Sequence, residues 1–364
     1  MRISHLWLTD FRSYSHADVE LAPGLTAVLG DNGQGKTNLL EAVGFVSRLG
    51  SFRGAPTEAL IARAAAAAVV RAEVVAEGRT LLFEAELPRQ GRQRVQLNRQ
   101  RIQRRAELLS TYQVTVFAPD DLELVKAGPA LRRDYVDDLI VALRPRHDAT
   151  RTEVEKVLRQ RNALLKQLGG RLDPSSEPTL EVWDERLAAA GEQLGMLRTS
   201  LVERLAPLVV EAYHELSGRD DGVELRLVAP WREVGLAAAL VASRRDDLRR
   251  GLTMVGPHRD ELELSVSSMP ARTHASQGEQ RSLALALRLA GHRLTASELG
   301  ATPTLLLDDV FSELDPSRSA ALLASLPPGQ TIVSSAVPLP VGTDPELVLE
   351  VRDGSVGQPR SPGA

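Results

Sequence analysis

Apolar and polar residues alternate over residues 2–8, which predicts a β-strand, and a short apolar run at 25–29 follows the turn pair Pro23–Gly24. A glycine-rich segment, 30–37, separates that run from residues 38–46, whose apolar spacing is helical. Alternating segments between 63 and 97, among them 79–87 and 93–97, predict antiparallel strands. From Pro129 the pattern turns helical. Residues 152–168 place Val154, Val157, Leu158, Leu164 and Leu165 on one face and stop at Gly169–Gly170. A turn-rich linker at 171–178 leads into one long helix, 179–217, with a kink expected near Pro207. In it Leu187, Ala190, Leu194, Leu197 and Leu201 recur at steps of three and four, a coiled-coil-like seam of about two heptads. Two antiparallel helices here would form an arm of ~30–55 Å at 1.5 Å per residue. Beyond Gly251 the β/α pattern returns, with strands at 304–307 and, as the final one, 331–333.

The 364 residues suit two to three domains, or one domain with a large insertion. The pattern predicts an α/β fold with one lobe built from both chain ends. Its N-terminal part is 1–115 (the glycine-rich segment and antiparallel strands), its C-terminal part 246–364, and a helical arm or second lobe occupies 116–245. With 43% hydrophobic and 25% charged residues the chain can bury a core. A formal net charge of −4 excludes a uniformly basic protein that coats nucleic acid by charge alone, though not a local basic patch. The absence of cysteine excludes disulfides, thiolate metal sites and cysteine nucleophiles. No apolar run approaches the ~20 residues of a membrane span, and residues 1–8 lack a signal-peptide core. A soluble, cytoplasmic protein is expected.

Gly30-Asp31-Asn32-Gly33-Gln34-Gly35-Lys36-Thr37 fits G-x-x-x-x-G-K-T and sits where that motif works, after a strand and opening a helix that continues at Asn38. The glycines let backbone N–H groups curl around phosphate oxygens, and the helix N-terminus adds its positive end. Lys36 would reach the β- and γ-phosphates, and the Thr37 hydroxyl would bind Mg²⁺. Only four lysines stand against forty arginines, so a lysine retained at this position is itself informative. Leu305-Leu306-Leu307-Asp308-Asp309 is the matching Walker B: a buried strand ending in carboxylates. Asp308 would hold Mg²⁺, and Asp309 stands where a water-activating base would sit.

Lys36 and Asp308 lie 272 positions apart, too far for a compact nucleotide kinase or GTPase. Ala275-Ser276-Gln277-Gly278-Glu279-Gln280 before the Walker B, and Ser312-Glu313-Leu314-Asp315 after it, resemble the signature motif and D-loop of ABC-type ATPases. The wider pattern resembles the RecF family of bacterial recombinational-repair ATPases. It is carried by 8–14, 117–122, Gly128-Pro129-Ala130-Leu131-Arg132-Arg133, Arg159-Gln160-Arg161-Asn162, Gly256-Pro257-His258-Arg259-Asp260 and 307–315. The resemblance implies an ABC-type P-loop ATPase head, with mixed sheets, flanking helices and an inserted helical arm. It also implies ATP and Mg²⁺ as cofactors and an ATP-dependent homodimer on double-stranded or gapped DNA. In such a dimer Ser276 and the Gly278 backbone would contact the γ-phosphate of the partner's nucleotide. RecO and RecR are the implied partners, helping to load RecA on strands coated by single-strand binding protein; no membrane is involved.

Two departures stand out. Asp309 is one methylene shorter than the glutamate common at this position, which predicts slow, switch-like hydrolysis. No histidine follows the strand at 331–333, so Ser334 or Ser335 stands in as γ-phosphate sensor, or the sensor lies elsewhere. Arg12 is a further candidate phosphate contact. Residues 89–105 hold seven arginines and no acid; Arg92, Arg94, Arg99, Arg101, Arg104 and Arg105 are candidate DNA contacts around a hairpin turn at Asn98. No aromatic falls in the patch, which favours backbone contact with duplex over base stacking. Arg132 and Arg133 form a second candidate. A chromosome-bridging SMC protein would need a much longer coiled coil, and a transporter subunit would carry the switch histidine.

Overall fold

The computed structural model describes residues 1–102, 105–109 and 111–357, and divides the chain into two units. The first comprises 1–122, 212–219 and 282–364; the second comprises 123–211 and 220–281. The change of unit expected at 245 instead falls at 281, so residues 246–281, expected in the ATPase lobe, belong to the second unit.

The first unit holds two six-stranded sheets. One is antiparallel, in the order β2-β1-β4-β5-β6-β7, from β1 (Arg2–Phe11), β2 (Tyr14–Glu20), β4 (Ala67–Ala76), β5 (Arg79–Pro88), β6 (Arg94–Leu97) and β7 (Gln100–Arg101). The other runs β15-β14-β3-β13-β12-β8, from β3 (Leu25–Leu29), β8 (Val114–Phe117), β12 (Thr304–Asp308), β13 (Thr331–Ser335), β14 (Leu347–Arg352) and β15 (Ser355–Gly357). All its pairings are parallel except β14–β15. Every residue of β12 and β13 is buried, which is why these strands read as unbroken runs rather than alternations. Helix α1 (Lys36–Arg48) contributes Leu39, Leu40, Val43, Phe45 and Val46 to a core shared with both sheets. Buried Gln330 fastens the sheets together. Its Oε1 accepts from the Ile3 amide (2.9 Å) and the Thr304 hydroxyl (3.0 Å), and its Nε2 donates to the carbonyls of Ile3 (2.6 Å) and Ala22 (2.8 Å). The unit also holds α2 (Arg105–Leu109) and α10 (Pro316–Ala324).

The strand expected to be last is not: β13 extends to Ser335, and a further hairpin, β14–β15, follows. Pro338, Pro340 and Pro345 ahead of it read as an ending, although Leu347, Leu349 and Val351 alternate as a strand should.

The second unit is more than two helices. It contains α3 (Glu123–Lys126), α4 (Pro129–Leu143), α5 (Asp148–Leu168), α7 (Leu236–Arg250) and α8 (Ala271–His274). It also holds most of α6 (Glu177–Ser217) and the start of α9 (Gln277–Leu299), whose remaining residues belong to the first unit. A three-stranded antiparallel sheet, β11-β10-β9, which the helical reading missed, is built from β9 (Glu224–Val228), β10 (Glu261–Val266) and β11 (Met269–Pro270). Helix α6 runs 41 residues as a single α-helix through Pro207. Its predicted seam is buried at Leu187, Leu194 and Leu201. Gly191 and Gly195 on α6 admit Leu236 and Trp231; a Cβ at Gly195 would lie 2.7 Å from the Trp231 ring.

The polar core of this unit explains two of the family segments. Arg161, fully buried, donates to Asp184 (2.7 Å), Asp247 (2.7 Å) and Thr253 (2.9 Å), while Asn162 accepts from the Thr253 amide (2.8 Å) and hydroxyl (2.7 Å). Arg198 grips Asp137 with two bonds of 2.8 Å and reaches Asp260, whose other oxygen takes the Trp231 indole N–H at 2.7 Å. His258 Nε2 pairs with the Thr253 carbonyl (2.9 Å), and burial pushes its imidazole pKa down to about 4.

Candidate nucleotide-binding site

The segment from Gly30 to Thr37 leaves the C-terminal end of β3 and opens α1. Three glycines take backbone angles closed to most residues: φ is 154° at Gly30, 82° at Gly33 and 118° at Gly35. At Gly35 a Cβ would sit 2.8 Å from Ser13 Oγ and 3.1 Å from the Tyr14 hydroxyl, which itself donates to the Gly35 carbonyl at 2.9 Å. The loop is therefore clamped from outside by the β1–β2 turn, to which Asn38 Nδ2 adds a 2.9 Å bond on Ser13 Oγ. On the other side the β14–β15 turn holds it: the Asp353 amide donates to Gln34 Oε1 (2.6 Å) and the Gly354 amide to the Gln34 carbonyl (3.1 Å). A cavity of about 400 Å³ opens between Gly30, Asp31, Gln34 and the end of β14.

Helix α1 begins without a side-chain cap and without an acid in its first turn. Its first N–H groups are thus presented to an anion rather than to the protein. Asp31, Asn32 and Gly33 are exposed, whereas Lys36 is buried and folds its Nζ back onto the carbonyls of Gly30 (2.7 Å) and Asp31 (2.9 Å).

Walker A and Walker B meet directly. Thr37 Oγ1 donates to Asp308 Oδ1 at 2.9 Å, and Ser334 Oγ donates to the same oxygen at 2.7 Å. Burial pushes the Asp308 carboxyl pKa up, opposed by the Ser334 and Thr37 hydroxyls and by the nearby positive charge of Arg53. A hydroxyl and a carboxylate oxygen this close are hard donors that fit Mg²⁺, a cation that takes few protein ligands and completes its shell with water and phosphate. Asp309, at φ 49°, is left-handed; its amide donates to Ser334 Oγ (3.0 Å) and its carboxylate takes the Ala336 amide at 3.4 Å.

Arg12, at φ 54°, is engaged rather than free: its guanidinium grips the wholly buried Glu41 of α1 with bonds of 2.7 and 2.9 Å, and Glu41 also takes the Ser51 hydroxyl. Ser276 and Glu279 form a capping box at the start of α9, with the Ser276 amide on Glu279 (2.7 Å) and the Glu279 amide on Ser276 Oγ (3.3 Å). Gln280 anchors this turn through the carbonyls of Ala271 (3.0 Å) and Arg272 (3.1 Å), leaving Ser276 exposed. In the D-loop Asp315 caps α10.

Residues 2–336 match the family described as RecF/RecN/SMC N terminal domain. The DNA replication and repair protein RecF of Acidothermus cellulolyticus is 44% identical over 361 residues, covering 94% of this chain and 96% of its own. The chain belongs to the RecF family. The RecF of Streptomyces avermitilis is 43% identical over 353 residues, covering 93% of this chain and 94% of its own. A solved structure of the recombination mediator protein RecF with ATP, in the RecFOR pathway, superposes with a TM-score of 0.89 at 27% identity, covering 98% of this chain and 97% of that one. An Smc head bound to the C-winged helix domain of ScpA, at TM-score 0.58 and 19% identity over 98% of this chain and 96% of that one, shares the fold. The α/β ATPase-head fold of the RecF family is thereby the fold of this chain.

The candidate DNA-binding arginines of this RecF-family chain fare unequally. Asn98 and Arg99 make the turn between β6 and β7 with φ of 50° and 65°. Register places Arg101 opposite Gln96 and Arg94 opposite Glu86, so Arg94, Gln96 and Arg101 share the solvated face away from buried Val95. That face is not purely basic: Glu84 and Glu86 lie on it, and Glu86 pairs with Arg94 at 3.1 Å. Arg92, Arg99 and Arg101 are exposed, Arg104 lies outside the described residues, and Arg105 opens α2. Arg89 turns onto the carbonyls of Ala62 (2.9 Å) and Ala65 (3.1 Å). Arg132 does not present itself to a DNA backbone. It is buried, caps α3 through the carbonyls of Leu124 (3.0 Å) and Ala127 (2.9 Å), and pairs with Glu261 at 2.8 Å. The Gly-Pro-x-x-Arg-Arg pattern gives no warning of this, since a helix cap and a surface contact look alike in sequence. Arg133 donates to the Asp260 carbonyl at 2.8 Å. Sequence reasoning missed Glu41, Ser51, Arg53 and the 353–354 turn; no motif marks them.

Proposed function

We propose that this RecF-family protein is an ATP-gated dimeric clamp on duplex DNA beside single-strand gaps, acting in the cytoplasm with RecO and RecR to load RecA during recombinational repair. The observation that carries the reading is the 2.9 Å bond between Thr37 and Asp308, which brings the two phosphate- and metal-handling motifs to one point. ATP lies with its phosphates over residues 30–37, Lys36 leaves its carbonyl partners for the β- and γ-phosphates, and Asn38 steadies the loop. Thr37 and Asp308 would hold Mg²⁺, which would supply positive charge against the phosphates. Asp309 accepts a proton from the attacking water, and its short side chain keeps turnover slow. Ser276 and the Gly278 amide complete the partner's site, so ATP joins the subunits and hydrolysis parts them. Arg12, braced by Glu41, borders the phosphates. Exposed Arg92, Arg99, Arg101 and the neighbouring Arg94, Arg104 and Arg105 contact DNA phosphates, with Arg133 as a lesser contributor.

The test is the anisotropy of a labelled gapped duplex titrated with protein across a salt series, with and without ATP–Mg²⁺. Binding that needs ATP and weakens steeply with salt is the expected result. Binding indifferent to nucleotide overturns the gated clamp.

A further inference from the structure

At the tip of β13, where the sequence offers a serine pair for the γ-phosphate sensor, both hydroxyls are already committed. Ser335 Oγ donates to the Val337 carbonyl at 2.7 Å and takes the Val337 amide at 3.2 Å, closing a local turn. Ser334, wholly buried, donates to Asp308 Oδ1 at 2.7 Å and accepts the Asp309 amide at 3.0 Å. A hydroxyl has one proton, and that of Ser334 is spent on the carboxylate.

From this geometry we infer that Ser334 is a positioning residue that clamps the Walker B carboxylate for Mg²⁺, and is not a γ-phosphate sensor. Two hydroxyls converge on Asp308 Oδ1, from Thr37 and from Ser334. A hydroxyl that gives a lone pair to a cation keeps its proton, so Thr37 as a metal ligand would still donate to Asp308. Ser334 is the donor to Asp308 that is not itself one of the proposed ligands, a partner outside the coordination shell orienting one inside it. The same hydroxyl takes the Asp309 amide at 3.0 Å and shares it with the Ser334 carbonyl at 3.2 Å, so side chain and backbone of Ser334 together hold the left-handed turn at φ 49°. One residue thus contacts both acidic positions.

The inference rests on the nucleotide reading proposed above, and the experiment separates the two. Binding of a fluorescent ATP analogue is titrated in EDTA and across Mg²⁺ concentrations for the unaltered protein, Ser334→Ala and Ser334→Thr, with Mn²⁺ binding followed by electron paramagnetic resonance in the presence of ATP. The P-loop is untouched, so affinity in EDTA stays unchanged in Ser334→Ala. The Mg²⁺ concentration for half-maximal enhancement rises roughly 10- to 100-fold, as for other lost partners of metal ligands. Ser334→Thr, which keeps the hydroxyl, restores it. Equal Mg²⁺ dependence in Ser334→Ala and the unaltered protein overturns the clamp, as does an equal loss in EDTA and in Mg²⁺. Should Ser334→Ala not fold, Ser334→Cys, a weak donor of similar size, is read by the same criteria. If the unaltered protein binds no ATP under any condition, the nucleotide reading itself fails.

Discussion

Lys36 illustrates how a residue can be stored for a ligand. Without nucleotide its ammonium is satisfied by the carbonyls of Gly30 and Asp31, both within the loop it serves. Lys36→Ala should therefore weaken ATP binding roughly 10- to 100-fold, the loss of one to two charge-assisted bonds. It should also lower the melting temperature of the nucleotide-free protein modestly, since the Gly30 and Asp31 carbonyls lose their donor; isothermal titration and calorimetry check the two halves. Histidine makes a second residue-scale prediction. His292 is buried and His258 half-buried, and burial pushes each pKa down to about 4. The unfolded chain binds their protons near pH 6.5 and the folded chain does not. Stability is thus present above pH 6.5 and falls toward pH 4, by up to about 3 kcal/mol per residue. Urea melts at pH 7 and pH 5 should show that loss, and His292→Gln should shrink it. An identical pH slope in the variant would sink the assignment. Chemistry-bearing residues were legible in the sequence wherever a motif fixes both type and spacing, as at 30–37 and 308–309. Glu41 was not, and Ser334 was singled out for a different role, because what they do depends on partners brought in from other elements.

At the scale of elements, sequence pattern found α1, β12 and the seam of α6, since each has a strong period or an unbroken apolar run. It missed β9, β10 and β11, short strands lying between helices, and it took Arg161, Asn162 and Asp260 as family marks without a role. They are the polar core of the second unit. Breaking that core is costly: Arg161→Ala, which takes the guanidinium from wholly buried Asp247 and leaves Asp184 its 3.0 Å bond to Arg244, should lose about 3–5 kcal/mol in urea denaturation. Helix α6 offers a sterically separate test. Trp231 is pinned by its indole bond to Asp260 at 2.7 Å, so the ring cannot yield to a methyl group placed 2.7 Å away. Gly195→Ala should then cost about 1–3 kcal/mol despite alanine's better helix propensity; a stabilised variant would contradict this packing.

For the whole molecule, dimer formation carries the prediction. Ser276 stands exposed at the first turn of α9, its position set by the capping box and by Gln280. Ser276→Arg should bind ATP as a monomer yet fail to form ATP-dependent dimers in analytical ultracentrifugation. Dimers forming as before would remove Ser276 from the seam between subunits. The P-loop strand itself has a further consequence. β3 occupies residues 25–29, but its two neighbours in the sheet are β13 and β14, drawn from 331–335 and 347–352. A ribosome adding 5–20 residues per second needs roughly 15–60 s to cover the ~300 residues between them. Throughout that interval the strand that launches the phosphate loop has no sheet partner, and Gln34 lacks the turn at 353–354 that holds it. The first motif to be synthesised is thus among the last to be assembled, and a chain interrupted before its closing hairpin would carry residues 30–37 without the strand and turn that hold them.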